Sequence, residues 1–282
     1  MVFFPYQGIM EGKNLFETFI RNRQYLKKAG VRLSYVTDDC SDYLYIDNPI
    51  IISSFAGFVK QKYPDRDIYF RGECNNNRHV IPSLFRQAGM PLDDNGEIYA
   101  RVRAYNELKR LTIGHYKDKV SRFAKEDVDV LFQHYGIQSP CIDLVDNIYV
   151  ALWFAMDGNG GDYGYVRLMD TSHPDLTVHD LRKVHSSLSL RLHTQHGLIA
   201  KKSVSRWNKK TILFDEYEIA RIKFPVTKEM LGGLLFSRAN IYPGPGLDNT
   251  FKILQQSPWM TGAIRRMERK YGLGEGVLGR IQ

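Results

Sequence analysis

Four places in this 282-residue chain set residues able to do chemistry beside otherwise apolar runs. The first is Ile68-Tyr69-Phe70-Arg71-Gly72-Glu73. An arginine that closes a buried strand is costly unless its guanidinium meets an anion or a carboxylate. Arg71 therefore either contacts an anionic ligand or forms an ion pair, with Glu73 or Asp143 as the candidates. Gly72 would let the backbone turn sharply or approach a ligand closely. The second place is Gln133-His134-Tyr135-Gly136, followed by Asp143. His134 reads as a proton-transfer group, as a packed histidine or as a cation at a helix C-terminus, and Gly136 suits the residue just past that terminus. Asp143 can cap, or pair with Arg71 or Arg191. The third is Arg191-Leu192-His193-Thr194-Gln195-His196-Gly197. Its two histidines lack a third ligand at zinc spacing, so no metal is expected. The fourth is Glu216-x-Glu218 on an alternating run, which is either a pair of working acids or a solvated strand face.

The elements that must position these residues follow from periodicity. Residues 14–29 have the spacing of an amphipathic helix, and Val31 to Val36 and Tyr43 to Ile52 look β-like. Ser53 or Ser54 is placed to cap a helix ending near Tyr63, before Pro64. The strand into Arg71 leads to an irregular loop over 74–95. Helices are expected from Glu97 to about Ala124, from Asp127 to His134 and from Ile148 to Met156, the last capped by Asp146 or Asn147. Strands are expected at Gly164–Met169, around Gly197 and at Tyr217–Phe224. Further helices are expected at 228–236 and Leu247–Gln255, on either side of the loop Pro243-Gly244-Pro245-Gly246. No linker divides the chain. The reading is one α+β domain, a mixed or antiparallel sheet with packed helices, over 67–256. An extension of residues 1–66 precedes it. A basic, glycine-rich tail over 257–282 follows and is expected to be less ordered.

Composition narrows the class. Aromatic residues are plentiful, with 17 Tyr and 15 Phe, which argues against disorder. A formal charge of +8 admits a polyanionic partner such as nucleic acid. No window approaches the roughly 18 apolar residues of a membrane span. The three cysteines, Cys40, Cys74 and Cys141, fit neither a disulfide framework nor a metal motif, so the cytoplasm is the default compartment.

Read in order, the motifs resemble the FRG domain. Arg71-Gly72 is followed by Pro82-Ser83-Leu84-Phe85-Arg86, then His134-Tyr135-Gly136, Asp143 and the Ala151–Ala155 helix, then Arg191, Gln195 and Gly197, and finally Gly246-Leu247-Asp248. The likeness runs from about Tyr69 to Leu254. The chain departs from the family pattern at Leu144, where the family usually has Trp, and at Ser139-Pro140-Cys141, where a pocket arginine is replaced by Pro140.

That family in turn resembles, distantly, the ADP-ribosyltransferases. The resemblance implies NAD as substrate, and a cytoplasmic effector of the toxin or antiviral-defence kind. The ADP-ribose acceptor would be a protein or a nucleic acid, and an antitoxin or regulatory partner would be expected. Loss of nicotinamide leaves an oxocarbenium-like ribose, so a site needs a cation for the pyrophosphate, an aromatic ring for nicotinamide and an acid or amide near the ribose. By this likeness Arg71 clamps NAD, His134 and Tyr135 line the nicotinamide side, and Gln195 or Glu218 orients the ribose. Gly72, Asp143 and Arg191 complete the cofactor-binding set. The alternative is a module that holds a nucleotide, a phosphate or a partner through Arg71 without turnover.

Overall fold

Apolar runs and local caps set the elements. The computed structural model describes residues 7–21, 23, 30–37, 42–87, 90–116, 125–184, 191, 194–195, 197–227, 230, 241–242, 248, 251 and 254–279. In chain order the elements begin with α1 (Gln7–Arg21), β1 (Leu33–Thr37), β2 (Asp42–Ile46), α2 (Pro49–Lys62) and β3 (Ile68–Glu73). Two short strands follow, β4 (Arg86–Gln87) and β5 (Met90–Pro91), then α3 (Asn95–His115), α4 (Lys125–His134), β6 (Cys141–Val145) and α5 (Ile148–Met156). Next come β7 (Tyr163–Asp170), β8 (Leu176–Asp180), the single turn α6 (Leu181–Val184), β9 (Gly197–Lys202), β10 (Glu218–Pro225) and α7 (Pro258–Lys270). The fold is α+β with a mixed sheet. Among the described residues no helix is long and apolar enough to cross a membrane.

The chain forms two interleaved units. The first comprises residues 1–78, 144–174 and 214–237. Its strands run in the order β1-β2-β10-β7-β3, with the end of β6 joined to β3 at Phe70 opposite Val145. All these pairs are antiparallel except β2 with β10, which is parallel. α5 is apolar on almost every side, and seven of its nine residues are buried, so it behaves as core rather than as an amphipathic surface helix. It packs with Phe55, Phe70, Leu168 and Ile222 in one apolar cluster.

The second unit comprises residues 79–143, 175–213 and 238–282. Its core joins Ile98, Tyr105 and Leu108 of α3 with Leu131 and Phe132 of α4 and with Met260, Ile264 and Met267 of α7. β8 and β9 pair antiparallel, Thr177 facing Lys201 and His179 facing Ile199.

Three local expectations are corrected. The α2 cap is Asn48, whose side chain accepts from the amides of Ile50 and Ile51 at 3.0 and 3.2 Å, and not Ser53 or Ser54. Pro49 at the first helical position fixes φ for helix entry, which places the start several residues earlier. β3 does not stop at Arg71. It stays paired with β7 through Gly72 and Glu73, so Gly72 makes no turn. The stretch after Ser257 is not loose: Ser257 caps α7, and Met260, Ala263, Ile264 and Met267 recur at helical spacing and are buried. Asn147 caps α5 as expected, its side chain accepting from the Tyr149 amide at 2.9 Å. The helix expected over 228–236, the Pro243–Gly246 loop, and His193 and His196 lie largely or wholly outside the described residues.

Candidate functional site

Strand register builds the first cluster. Arg71 on β3 lies opposite Arg167 on β7, and Arg167 lies opposite Arg221 on β10. Three arginines thus form a row across adjacent strands, where like charges directly opposite one another destabilise a sheet. Two carboxylates resolve the conflict. Glu73 accepts from Arg71 Nε at 2.9 Å through one oxygen and from Arg167 Nε at 2.8 Å through the other. Glu218 accepts from Arg221 Nε at 2.8 Å and Nη2 at 3.0 Å, and from Arg167 Nη1. Arg167 and Arg221 also donate to the Asn77 carbonyl, and Arg221 to the Asn76 side chain at 2.9 Å. The sequence reading therefore found two members, Arg71 and Glu218, and its Glu73 pairing for Arg71 is present. It missed Arg167, whose only signal was a lone cation inside the apolar run of β7.

The electrostatics follow from this geometry. Burial pushes the Glu73 carboxyl up, but the Arg167 and Arg71 guanidiniums outweigh it and hold the pKa at about 2. Glu218 also falls, burial being overcome by Arg167 and Arg221. The Arg167 pKa is raised: burial opposes its charge, but Glu218 and Glu73 prevail. Each carboxylate is ionised in the fold to a lower pH than in the unfolded chain. Their stabilisation is therefore present above the ordinary value of 4.5 and lost as pH falls through the lowered pKa of each group, about 2 for Glu73. Glu73 alone contributes about 3 kcal/mol at neutral pH by this linkage. Urea midpoints measured between about pH 6 and pH 2.5 are expected to fall most steeply below 4.5, and Glu73→Gln is expected to flatten that slope. An unchanged slope in the variant would remove Glu73 as its source.

Gly72 has a packing role. A Cβ built there would lie 2.0 Å from the Ala151 carbonyl oxygen and 3.0 Å from the Ala155 amide nitrogen. The close approach that needs glycine is thus to the α5 backbone.

The second cluster lies wholly in the second unit. His134 ends α4, and Gly136 follows in the left-handed region at φ 82°, as its place past a helix end requires. Gln195 donates through Nε2 to the Ile241 carbonyl at 3.1 Å, which turns its Oε1 toward His134 Nδ1 at 2.8 Å. Nδ1 therefore carries the proton, and Nε2 is the lone-pair nitrogen. That nitrogen is buried, makes no hydrogen bond, and sits 3.8 Å from Asp143 Oδ1. Burial lowers the His134 pKa despite Asp143 and Gln195, which favours the neutral ring. Asp143 accepts from Gln133 Nε2 at 2.7 Å, and Gln133 Oε1 in turn takes the Ser139 hydroxyl.

Tyr135 and Arg191 meet at Asp248. The Tyr135 hydroxyl donates to Asp248 Oδ2 at 2.7 Å, and the Arg191 amide to the same oxygen at 3.1 Å. The Arg191 guanidinium lies 4.4 Å from the Phe251 ring centroid and 5.6 Å from that of Tyr135. The Tyr135 ring has no exposed surface, so the stacking face expected of it is enclosed in the core. Arg101, which sequence reasoning passed over, is buried and donates to the carbonyls of Leu84 and Arg86 at 3.1 Å, fixing the 82–86 loop. Among the described residues no group of three His, Cys, Asp or Glu side chains is placed to hold a metal ion.

No curated protein and no solved structure matches the chain. Residues 66–162 match the family model of the FRG domain. That span, about a third of the chain, holds Arg71, Gly72, His134, Tyr135 and Asp143, and over it the chain is similar to the FRG domain.

Proposed function

We propose that the protein binds a pyrophosphate-bearing nucleotide, NAD in the first instance, through the arginine row of its first unit. The observation that carries this reading is the row itself, the Arg71, Arg167 and Arg221 guanidiniums set side by side on adjacent strands. Arg71 is the most exposed of the three, its side chain 13 % accessible against 0 % for Arg167 and 5 % for Arg221. A guanidinium held rigid on a strand loses little freedom when it takes up a phosphate, and its planar fork suits two phosphate oxygens at once. Calorimetric titration with NAD is expected to show saturable binding. Arg71→Ala should weaken it at least tenfold, about 1.4 kcal/mol, and Arg71→Lys should lose part of that. Equal binding by the alanine variant, with its fold intact by circular dichroism, overturns the assignment.

A second reading, ADP-ribosyl transfer or NAD hydrolysis, draws support from His134. Burial favours its neutral imidazole, with an unpartnered Nε2 beside Asp143, which is the form a general base takes. Against turnover stand Glu218, whose two oxygens are held by arginines, and Gln195, whose amide is committed to His134 and Ile241. Labelled NAD incubated with the protein and cell extract separates the readings. Released nicotinamide or a labelled acceptor supports an effector of the toxin or defence kind, and binding without product supports the module.

A further inference from the structure

We propose that the outer surface of α3 and α7, in the second unit, docks single-stranded nucleic acid. The two helices run antiparallel. The Trp259 ring at the start of α7 stacks on the His115 ring at the end of α3, with centroids 3.9 Å apart. Tyr271, just past the end of α7, donates its hydroxyl to Glu107 in the middle of α3 at 2.6 Å. α7 turns Met260, Ala263, Ile264 and Met267 into the core. Its exposed face carries Arg266, Arg269 and Lys270, which stand at i, i+3 and i+4 and so are neighbours on the helix surface. Arg103 and Arg110 are exposed on α3, seven residues and about 10 Å apart along its axis.

The counter-charges can be followed one by one. Glu107 takes the Lys270 ammonium at 2.8 Å and lies 4.0 Å from Arg110 Nη2. Glu275 faces Arg265 at 3.9 Å and offsets that arginine. Glu268 is buried and accepts from the Leu278 amide at 3.0 Å, away from the outer face. Among the described residues Arg103, Arg266 and Arg269 meet no carboxylate. Arg269 Nε donates to the Arg265 carbonyl at 3.4 Å, and the Arg103 guanidinium lies 5.6 and 5.5 Å from the ring centroids of Tyr99 and Tyr271. A surface this rich in guanidiniums suits phosphate, because the planar fork grips two oxygens at once. The exposed ring selects the kind of strand. Tyr99 is 56 % exposed beside Arg103, and a stacking face of that kind serves unpaired bases, which a duplex keeps inside its own stack. An anionic bilayer is a poorer fit, since the apolar residues of α7 are all engaged in the core and leave no face to insert.

The test is fluorescence anisotropy of a labelled oligouridylate of about twelve nucleotides, titrated with the full chain between about 50 and 200 mM salt. Saturable binding that weakens with salt is expected. Arg266→Gln with Arg269→Gln should weaken it at least tenfold and reduce the slope of log affinity against log salt by about 1.4, two phosphate contacts at about 0.7 each. Tyr99→Ala should weaken it at least fivefold and leave the slope unchanged, the signature of lost stacking rather than lost charge. Lys13→Gln with Lys62→Gln removes the same charge from exposed positions of α1 and α2 and should bind as the parent does. Arg71→Ala should also bind as the parent does, which separates this surface from the arginine row. The three residues replaced on α3 and α7 are exposed, so their variants are expected to fold, with circular dichroism as the check. No saturable binding, equal affinity for a duplex of the same length or for polyglutamate, binding to phosphatidylserine vesicles in place of the oligonucleotide, or an equal loss in the lysine variant overturns the proposal.

Discussion

Replacing Arg167 by methionine is expected to remove roughly 3–5 kcal/mol of stability, the cost of breaking a buried ionic network by taking away one partner. Arg167 is fully buried and donates to Glu73, to Glu218 and to the Asn77 carbonyl. Methionine fills similar volume, so the loss would come from charge and not from a void. Glu73 would keep Arg71 alone, and Glu218 would keep Arg221 alone, each in a site too dry to hydrate the abandoned oxygen. Lysine is not a conservative rescue. One ammonium cannot reach three acceptors that a planar fork spans, so Arg167→Lys should recover little. Urea denaturation with a fixed m-value measures the change. A loss under about 1 kcal/mol would mean the row of arginines does not need its centre.

Gly72→Ala is the second large effect, and it separates two meanings of a glycine beside an arginine. If Gly72 were there for a ligand, alanine would lower affinity and spare stability. The structure places the new methyl 2.0 Å from the Ala151 carbonyl oxygen and 2.9 Å from its carbon, backbone atoms of α5 that cannot rotate away. Either β3 or α5 must shift, and both belong to the apolar cluster of the first unit. Overpacking typically costs about 1–3 kcal/mol, and a backbone-to-backbone clash belongs at or above the upper end. Thermal and urea midpoints should therefore drop before any ligand is added. A variant of unchanged stability that binds NAD poorly would restore the ligand-approach meaning.

The two predictions concern neighbouring positions in sequence, yet only one of their causes could be read there. The need of Arg71 for a counter-charge was legible, because Glu73 lies two residues on, on the same face of a strand. The caps and stops were legible in part. Asn147 and Gly136 act through backbone groups within a few residues, so spacing alone reveals them. Asn48 was passed over for Ser53 and Ser54 because Pro49 was not taken as a first-turn residue. The helix after Ser257 was hidden by composition: its charges and glycines suggested a tail, while Met260, Ala263, Ile264 and Met267 carried the period of a buried face.

The sequence by itself determined the element types and the α+β class, and it showed that Arg71 ends an apolar run and needs a counter-charge, while Glu218 read there as a working acid or a solvated strand face. Those are consequences of short-range sterics, of hydrophobic period and of the cost of burying charge. Only the tertiary structure decided who the partners are. Arg71, Arg167 and Arg221 become neighbours because β3, β7 and β10 lie side by side in one register, although long stretches of chain separate them. A shift of one residue in any of those strands would turn its arginine to the other face. The His134–Gln195 bond and the approach of Arg103 to Tyr271 arise in the same way, from segments far apart in sequence. Register and packing are collective properties of the whole core, and no local pattern encodes them.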